Sequence, residues 1–241
     1  MKNLTVKLSL CAFLLLLGFN GCKKQVDDSE PETDQINGKE LLNYYIVLKH
    51  QNDYPNLPQN QLQIIDFTIY GWDTEVTSRL FNATSYAKHK IVLKDNELKF
   101  DVGQDSKNVY SFKLEKDNDG KITISNYQYL STGDNIAIAY AQIFKKADAP
   151  TFKGKVFGLR NNKFSFLKFT PNNIWYWNEY NDFNGAAPIV YYQESPLIWQ
   201  SKDSKNARYI GVCVPEWKEI NEPVMLVDIE PDGFAIFSAI N

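Results

Sequence analysis

Apolar and polar positions alternate along much of this chain from Gln61 onward, with the two-residue period of a β-strand. The stretch Gln61-Leu62-Gln63-Ile64-Ile65-Asp66-Phe67-Thr68-Ile69-Tyr70 opens the series. Successive strand side chains point to opposite sheet faces, so the pattern predicts strands with a distinct apolar side. Short apolar segments then come in pairs around turn-forming residues. Segments 91–93 and 98–100 flank Asp95-Asn96, and segments 109–114 and 122–124 flank Asp117-Asn118-Asp119-Gly120. Further on, 156–159 and 164–167 flank Asn161-Asn162, while 225–229 joins 234–237 through Pro231-Asp232-Gly233. Asn, Asp and Gly tolerate the left-handed backbone angles such turns demand. Strands recur every ~8–12 residues with no long helical pattern between them, which predicts an all-β fold, an antiparallel β-sandwich or β-barrel.

Two places are less regular. Asn37 and Glu40 stand at capping-box spacing ahead of Leu41, Leu42, Tyr45 and Leu48, which fits a short helix. Tyr44-Tyr45-Ile46-Val47 is β-prone and fits a strand equally well. The polar, proline-ended stretch Lys145-Lys146-Ala147-Asp148-Ala149-Pro150 separates two apolar regions. It predicts either two small β modules, 37–147 and 151–241, or one continuous β domain. The short alternating strands and tight turns of the first half resemble, in rhythm alone, the small lipocalin-like barrels of secreted bacterial proteins.

The beginning of the chain reads as an address. Lys2 and Lys7 precede the apolar run 8–17, which breaks at Gly18-Phe19-Asn20. That run has signal-peptide length and is shorter than the ~20 residues a spanning helix needs. With Gly21-Cys22 behind it, the segment resembles the signal of bacterial lipoproteins, although Phe19 and Asn20 stand where that family usually has Leu and a small residue. The resemblance implies cleavage after residue 21, acylation of Cys22, and a membrane partner reached through that lipid. It places the protein in the bacterial cell envelope, as an outer-membrane lipoprotein. Two or three acyl chains, at ~0.8 kcal/mol per buried methylene, hold a protein on a membrane durably. Residues 22–36 read as a flexible tether, since the stretch from Lys23 to Gln35 carries many charges and a single aliphatic residue, Val26. Their Lys, Asp and Glu residues also resemble the export signals that send some lipoproteins to the cell surface; a solvated spacer has the same composition.

Composition narrows the partners. Loss of the signal removes two of 26 basic residues and none of the 29 acidic ones, moving the balance from −3 to −5. With Arg79, Arg160 and Arg208 as its arginines and no basic stripe, the chain is not built for nucleic acid. Cys11 leaves with the signal and Cys22 is acylated, so Cys213 has no intramolecular disulfide partner. It lies in the apolar run Tyr209-Ile210-Gly211-Val212-Cys213-Val214, which predicts a buried, inert thiol. His50 and His89, both distant in sequence, offer it no evident base.

Candidate chemistry is sparse. The turn from Glu115 to Ile122 resembles part of a calcium loop, yet its twelfth position is Asn126 and its first is Glu115, and a plain hairpin turn accounts for the same residues. No phosphate loop, dinucleotide fingerprint or serine elbow is present, so no cofactor is implied. The densest feature is Ile174-Trp175-Tyr176-Trp177-Asn178-Glu179-Tyr180-Asn181-Asp182-Phe183-Asn184-Gly185. On a strand Trp175 and Trp177 share a face. An exposed indole beside Glu179, Tyr180 and Asp182 suits a sugar, whose apolar ring face lies on aromatics while its hydroxyls bond polar groups. The same tryptophans also suit core packing. Trp199 and Trp217 are candidates to rim that surface. These readings predict a non-catalytic, lipid-anchored protein that binds a ligand such as a carbohydrate. A structural or interaction subunit of an envelope protein complex is the second reading. A glycoside hydrolase using carboxylates from Glu179, Asp182 and Glu194 is the third.

Overall fold

Tyr44-Tyr45-Ile46-Val47-Leu48 is apolar at every position, a pattern expected of a strand covered on both faces. A computed structural model of the protein shows that arrangement. It describes residues 35–52, 60–69, 75–81, 86–102, 108–131, 136–160, 166–170, 173–177, 189–193, 198–202, 208–218, 220–229 and 233–240.

The ambiguous segment is both things in succession. Asn37 Oδ1 accepts from the Glu40 N–H at 3.1 Å, and Glu40 Oε2 accepts from the Asn37 N–H at 3.0 Å. This reciprocal capping box starts one 3₁₀ turn, Glu40–Asn43, which gives way to β1 (Tyr44–Asn52). There follow β2 (Asn60–Thr68), β3 (Thr77–Phe81), β4 (Tyr86–Lys90), β5 (Val92–Lys94), β6 (Glu97–Asp101), β7 (Asn108–Lys116), β8 (Ile122–Ser131) and β9 (Ile136–Lys145). Beyond a second 3₁₀ turn, Lys146–Asp148, come β10 (Val156–Leu159), β11 (Phe166–Phe169), β12 (Asn173–Trp177) and β13 (Ile189–Gln193). The last strands are β14 (Ile198–Lys202), β15 (Arg208–Val214), β16 (Val224–Ile229) and β17 (Gly233–Ile240).

These strands build an all-β, antiparallel structure in three sheets. One has five strands in the order β4-β3-β2-β1-β9, and another has four in the order β5-β6-β7-β8. The third is a closed barrel in chain order from β10 to β17, completed by pairing of β10 with β17 from Val156↔Ile240 to Leu159↔Phe237. Sandwich and barrel are therefore both present. The closed ring belongs to the second half, while the first half, whose rhythm resembles lipocalin-like barrels, divides nine strands between two sheets.

Turn chemistry sets the hairpins. Asp95 and Asn96 adopt φ of 51° and 58°, the left-handed pair that suits a two-residue connection between β5 and β6. In the β7–β8 turn Asp117 Oδ1 accepts from the N–H groups of Asp119 and Lys121, and Gly120 takes φ 71°. Two bulges then keep apolar residues on the correct face. Between β7 and β8 the register shifts so that Ser125 is extra, and Ile122 and Ile124 face the same core as Tyr127 and Tyr129. In β9 the extra residue is Ala139, which turns Ile138 to that core as well.

The core has three layers of contact. Tyr44, Ile46, Leu48, Ile65 and Phe67 of the five-stranded sheet pack on Leu98, Phe100, Tyr110, Phe112 and Leu114 of the four-stranded one. The other face of the same sheet, through Tyr45, Val47, Leu62, Ile64 and Phe144, covers Ile210, Val212, Val214, Val224 and Leu226 on the barrel wall. Inside the barrel, Phe157, Leu167, Phe169, Cys213, Met225, Val227 and Phe237 interdigitate. Alternation along β15 and β16 thus serves two cores at once, one inside the barrel and one outside it.

Trp217 corrects an expectation. It does not rim an open surface. It is 1% exposed, in the connection between β15 and β16, and meets Tyr140 of β9 edge-on at 4.8 Å. The charged neighbours that suggested exposure turn outward around it. Lys218 lies over the Tyr140 ring, and Glu216 accepts from Gln142 at 3.3 Å. Trp217→Ala removes a filled contact between sheet and barrel and is expected to cost about 3–5 kcal/mol of stability in denaturant unfolding. A loss below about 1 kcal/mol would contradict the core assignment.

Candidate functional site

The aromatic segment singled out in the sequence enters the barrel as β12. Trp175 pairs with Lys168, Trp177 with Phe166, and Tyr176 with Leu167, whose side chain fills the barrel interior. Ile174 pairs with Phe169, also an interior residue. Directly opposed residues share a sheet face. Positions 174 and 176 are therefore on the inner face of the wall, and positions 175 and 177 on the outer face. Trp199 lies on β14 opposite Gly211. Glu179, Tyr180, Asp182 and Glu194 lie outside the described residues, as does Cys22.

Ring order decides which outer faces are covered. The barrel meets the five-stranded sheet through β15, β16 and β17. In the eight-strand ring β12 stands four places from β16 in either direction. The outer face at β12 is thus on the far side of the barrel from that contact.

A second feature was not anticipated from sequence. An open pocket of about 400 Å³ lies where the first 3₁₀ turn, the β7–β8 hairpin and the end of β9 meet. Lys116, Lys145 and Lys146 line it, with Glu40, Asn43 and Tyr44. Lys116 donates to Glu40 Oε1 at 3.2 Å and is only 15% exposed. Lys146 donates to Asp66 Oδ1 at 2.6 Å and to the Phe67 carbonyl at 2.8 Å. Asp66, 4% exposed, also holds Arg79 at 2.5 Å, so its charge is shared between two cations. Tyr44 forms part of the floor, its hydroxyl accepting from the Ile122 N–H at 3.3 Å. These residues come from widely separated positions with no common motif. The one sequence signal was the doubled lysine at 145–146, which reads locally as a solvated boundary.

Buried polar groups form a third cluster, inside the sandwich. Tyr110 donates to Gln63 Oε1 at 2.5 Å, and its oxygen lies 3.0 Å from His50 Nε2. With Tyr110 donating to Gln63, His50 serves as donor to it and carries its proton on Nε2. Tyr129 lies against both rings, 4.7 Å from Tyr110 and 5.7 Å from His50. Burial pushes the His50 pKa down to about 4 and holds the Tyr110 hydroxyl well above its ordinary value. Cys213 occupies a different core. It is buried in the barrel interior, where desolvation pushes its thiol up to about 12. The sheet carrying His50 separates the sandwich interior from the barrel wall, so the histidine is not placed to activate the thiol.

The calcium-like turn is a hairpin whose Asp117 carboxylate is engaged by its own backbone. Among the described residues no group of three or more His, Cys, Asp or Glu side chains is arranged to hold a metal ion. Compared with protein-family models, curated proteins and solved structures, the chain matches none.

His50 makes stability depend on pH with a definite sign. Its pKa is about 4 folded, against 6.5 for an ordinary imidazole, so between these values the unfolded chain binds the extra proton. Stability present above pH 6.5 is therefore lost as pH falls toward 4, by up to about 3 kcal/mol. Partial burial lowers His89 in the same direction, so the informative comparison is with His50→Gln. Urea midpoints measured from pH 7 to pH 4 should fall less steeply in that variant. Parallel profiles would remove His50 as the cause.

Proposed function

We propose that this protein is a non-catalytic, lipid-anchored component of the bacterial cell envelope that binds carbohydrate on the outer face of β12. The supporting observation is topological. Positions 175 and 177 alternate with positions whose cross-strand partners fill the barrel, and β12 stands opposite the strands that dock on the five-stranded sheet. Indoles at positions 175 and 177 of that face would offer a platform for the apolar face of a sugar ring. Glu179, Tyr180 and Asp182 follow directly in sequence and are the candidates to bond its hydroxyls. The tether from Cys22 would present this wall to glycans at the membrane.

A second reading, an interaction subunit of an envelope complex, draws on one specific feature. Val92 and Leu130 are 61% and 53% exposed, and they lie on β5 and β8, the two outer strands of the four-stranded sheet. Exposed apolar residues on edge strands favour pairing with another chain.

Glycan-array binding by the purified full chain tests the platform. Trp175→Ala and Trp177→Ala should each weaken binding by about tenfold or more while leaving the far-ultraviolet circular dichroism unchanged. Full retention of binding in both folded variants would exclude β12. Radiolabelled palmitate should enter the wild type and not Cys22→Ser; equal labelling of the two would refute the anchor.

A further inference from the structure

We infer that the lysine-lined pocket is an anion site, and that its ligand is a phosphomonoester carried on a sugar-sized body. It is separate from the outer face of β12. The lining residues include three lysines and one glutamate, in a chain whose net charge is −3. Neighbouring carboxylates offset part of the positive charge. Glu40 uses Oε1 on Lys116 and Oε2 on the Asn37 N–H, and the Asp66 charge is divided between Lys146 and Arg79. Among the described residues no carboxylate pairs with Lys145.

With Lys116 and Lys146 already paired, Lys145 is the charge that a bound anion would neutralise. A phosphomonoester carries about −2 at neutral pH and three acceptor oxygens, which lysine recognises as a point charge. Lys116 and Lys146 are already held in place by Glu40 and Asp66, so little side-chain freedom is lost when the ligand arrives. Lys145 supplies the uncommitted charge. The pocket has room for more than a bare phosphate. A pocket of about 400 Å³ lies in the range of small-molecule sites, ~300–1,000 Å³, and holds a further polar body. Tyr44 and Ile122 offer that body an apolar floor, and Asn43 an amide for its hydroxyls.

Isothermal titration of the purified full chain with glucose 6-phosphate, inorganic phosphate and glucose tests the assignment. Glucose 6-phosphate should bind about tenfold more tightly than inorganic phosphate, and glucose not measurably. Lys145→Gln should weaken glucose 6-phosphate binding about tenfold, and Lys145→Arg should restore most of it. Rising ionic strength should lower the affinity. Trp175→Ala and Trp177→Ala should leave it unchanged, which separates this site from the carbohydrate platform. Absence of glucose 6-phosphate binding, equal binding of glucose, an unchanged dissociation constant in Lys145→Gln, or insensitivity to salt would each overturn the assignment.

Discussion

The structure depends on one sheet having two apolar faces. β1 directs Tyr44, Ile46 and Leu48 toward the four-stranded sheet and Tyr45 and Val47 toward the barrel. β2 does the same with Ile65 and Phe67 on one side and Leu62 and Ile64 on the other. Burying both faces lets one strand pair contribute to two hydrophobic contacts, each driven by removal of apolar area from water. It also makes the first half a poor candidate for independence, because without the barrel one face of its central sheet would meet solvent. Cys213 is a free, buried cysteine, and apolar packing surrounds it.

Two of the polar groups enclosed in this arrangement are paired in ways that stitch distant segments together. The Tyr45 hydroxyl, on the face toward the barrel, donates to the Cys213 carbonyl at 3.4 Å across 168 residues of sequence. Asp66, enclosed at the end of β2, ties β3 through Arg79 and the second 3₁₀ turn through Lys146. Such a buried carboxylate costs desolvation and is sustained by its two cations, so its value lies in fixing where the chain leaves β9. That exit brings Lys145 and Lys146 to the pocket. Core satisfaction and pocket charge are thus two outcomes of the same ion cluster.

The two proposed surfaces lie on different parts of the fold, one on the barrel and one on the sandwich. Contact with the sheet commits the outer faces of β15, β16 and β17, and ring closure then assigns β12 the opposite side. The pocket forms at the other half, where the capped 3₁₀ turn and the β7–β8 hairpin approach the end of β9. Neither surface uses the buried thiol or the enclosed histidine. Those groups belong to cores, and their shifted pKa values record desolvation.

Much of this was legible locally. Strand period, the left-handed turn at Asp95-Asn96, the capping box of Asn37 and Glu40 and the burial of Cys213 all follow from residues close in sequence, because alternation and backbone sterics act over a few positions. The run at 44–48 left helix and strand open, and it was cover on both faces that made it a strand. Trp217 shows the limit. Its flanking Glu216 and Lys218 imply exposure, yet Tyr140 arrives from a strand more than seventy residues away to bury it. Which half closes into a barrel, which wall of that barrel meets the five-stranded sheet and why three lysines come to line one pocket with Glu40 were decided by pairings between distant strands. A sequence determines the period and handedness of each strand through short-range sterics; only tertiary packing, which balances buried area against chain entropy across the whole body, decides what each face meets.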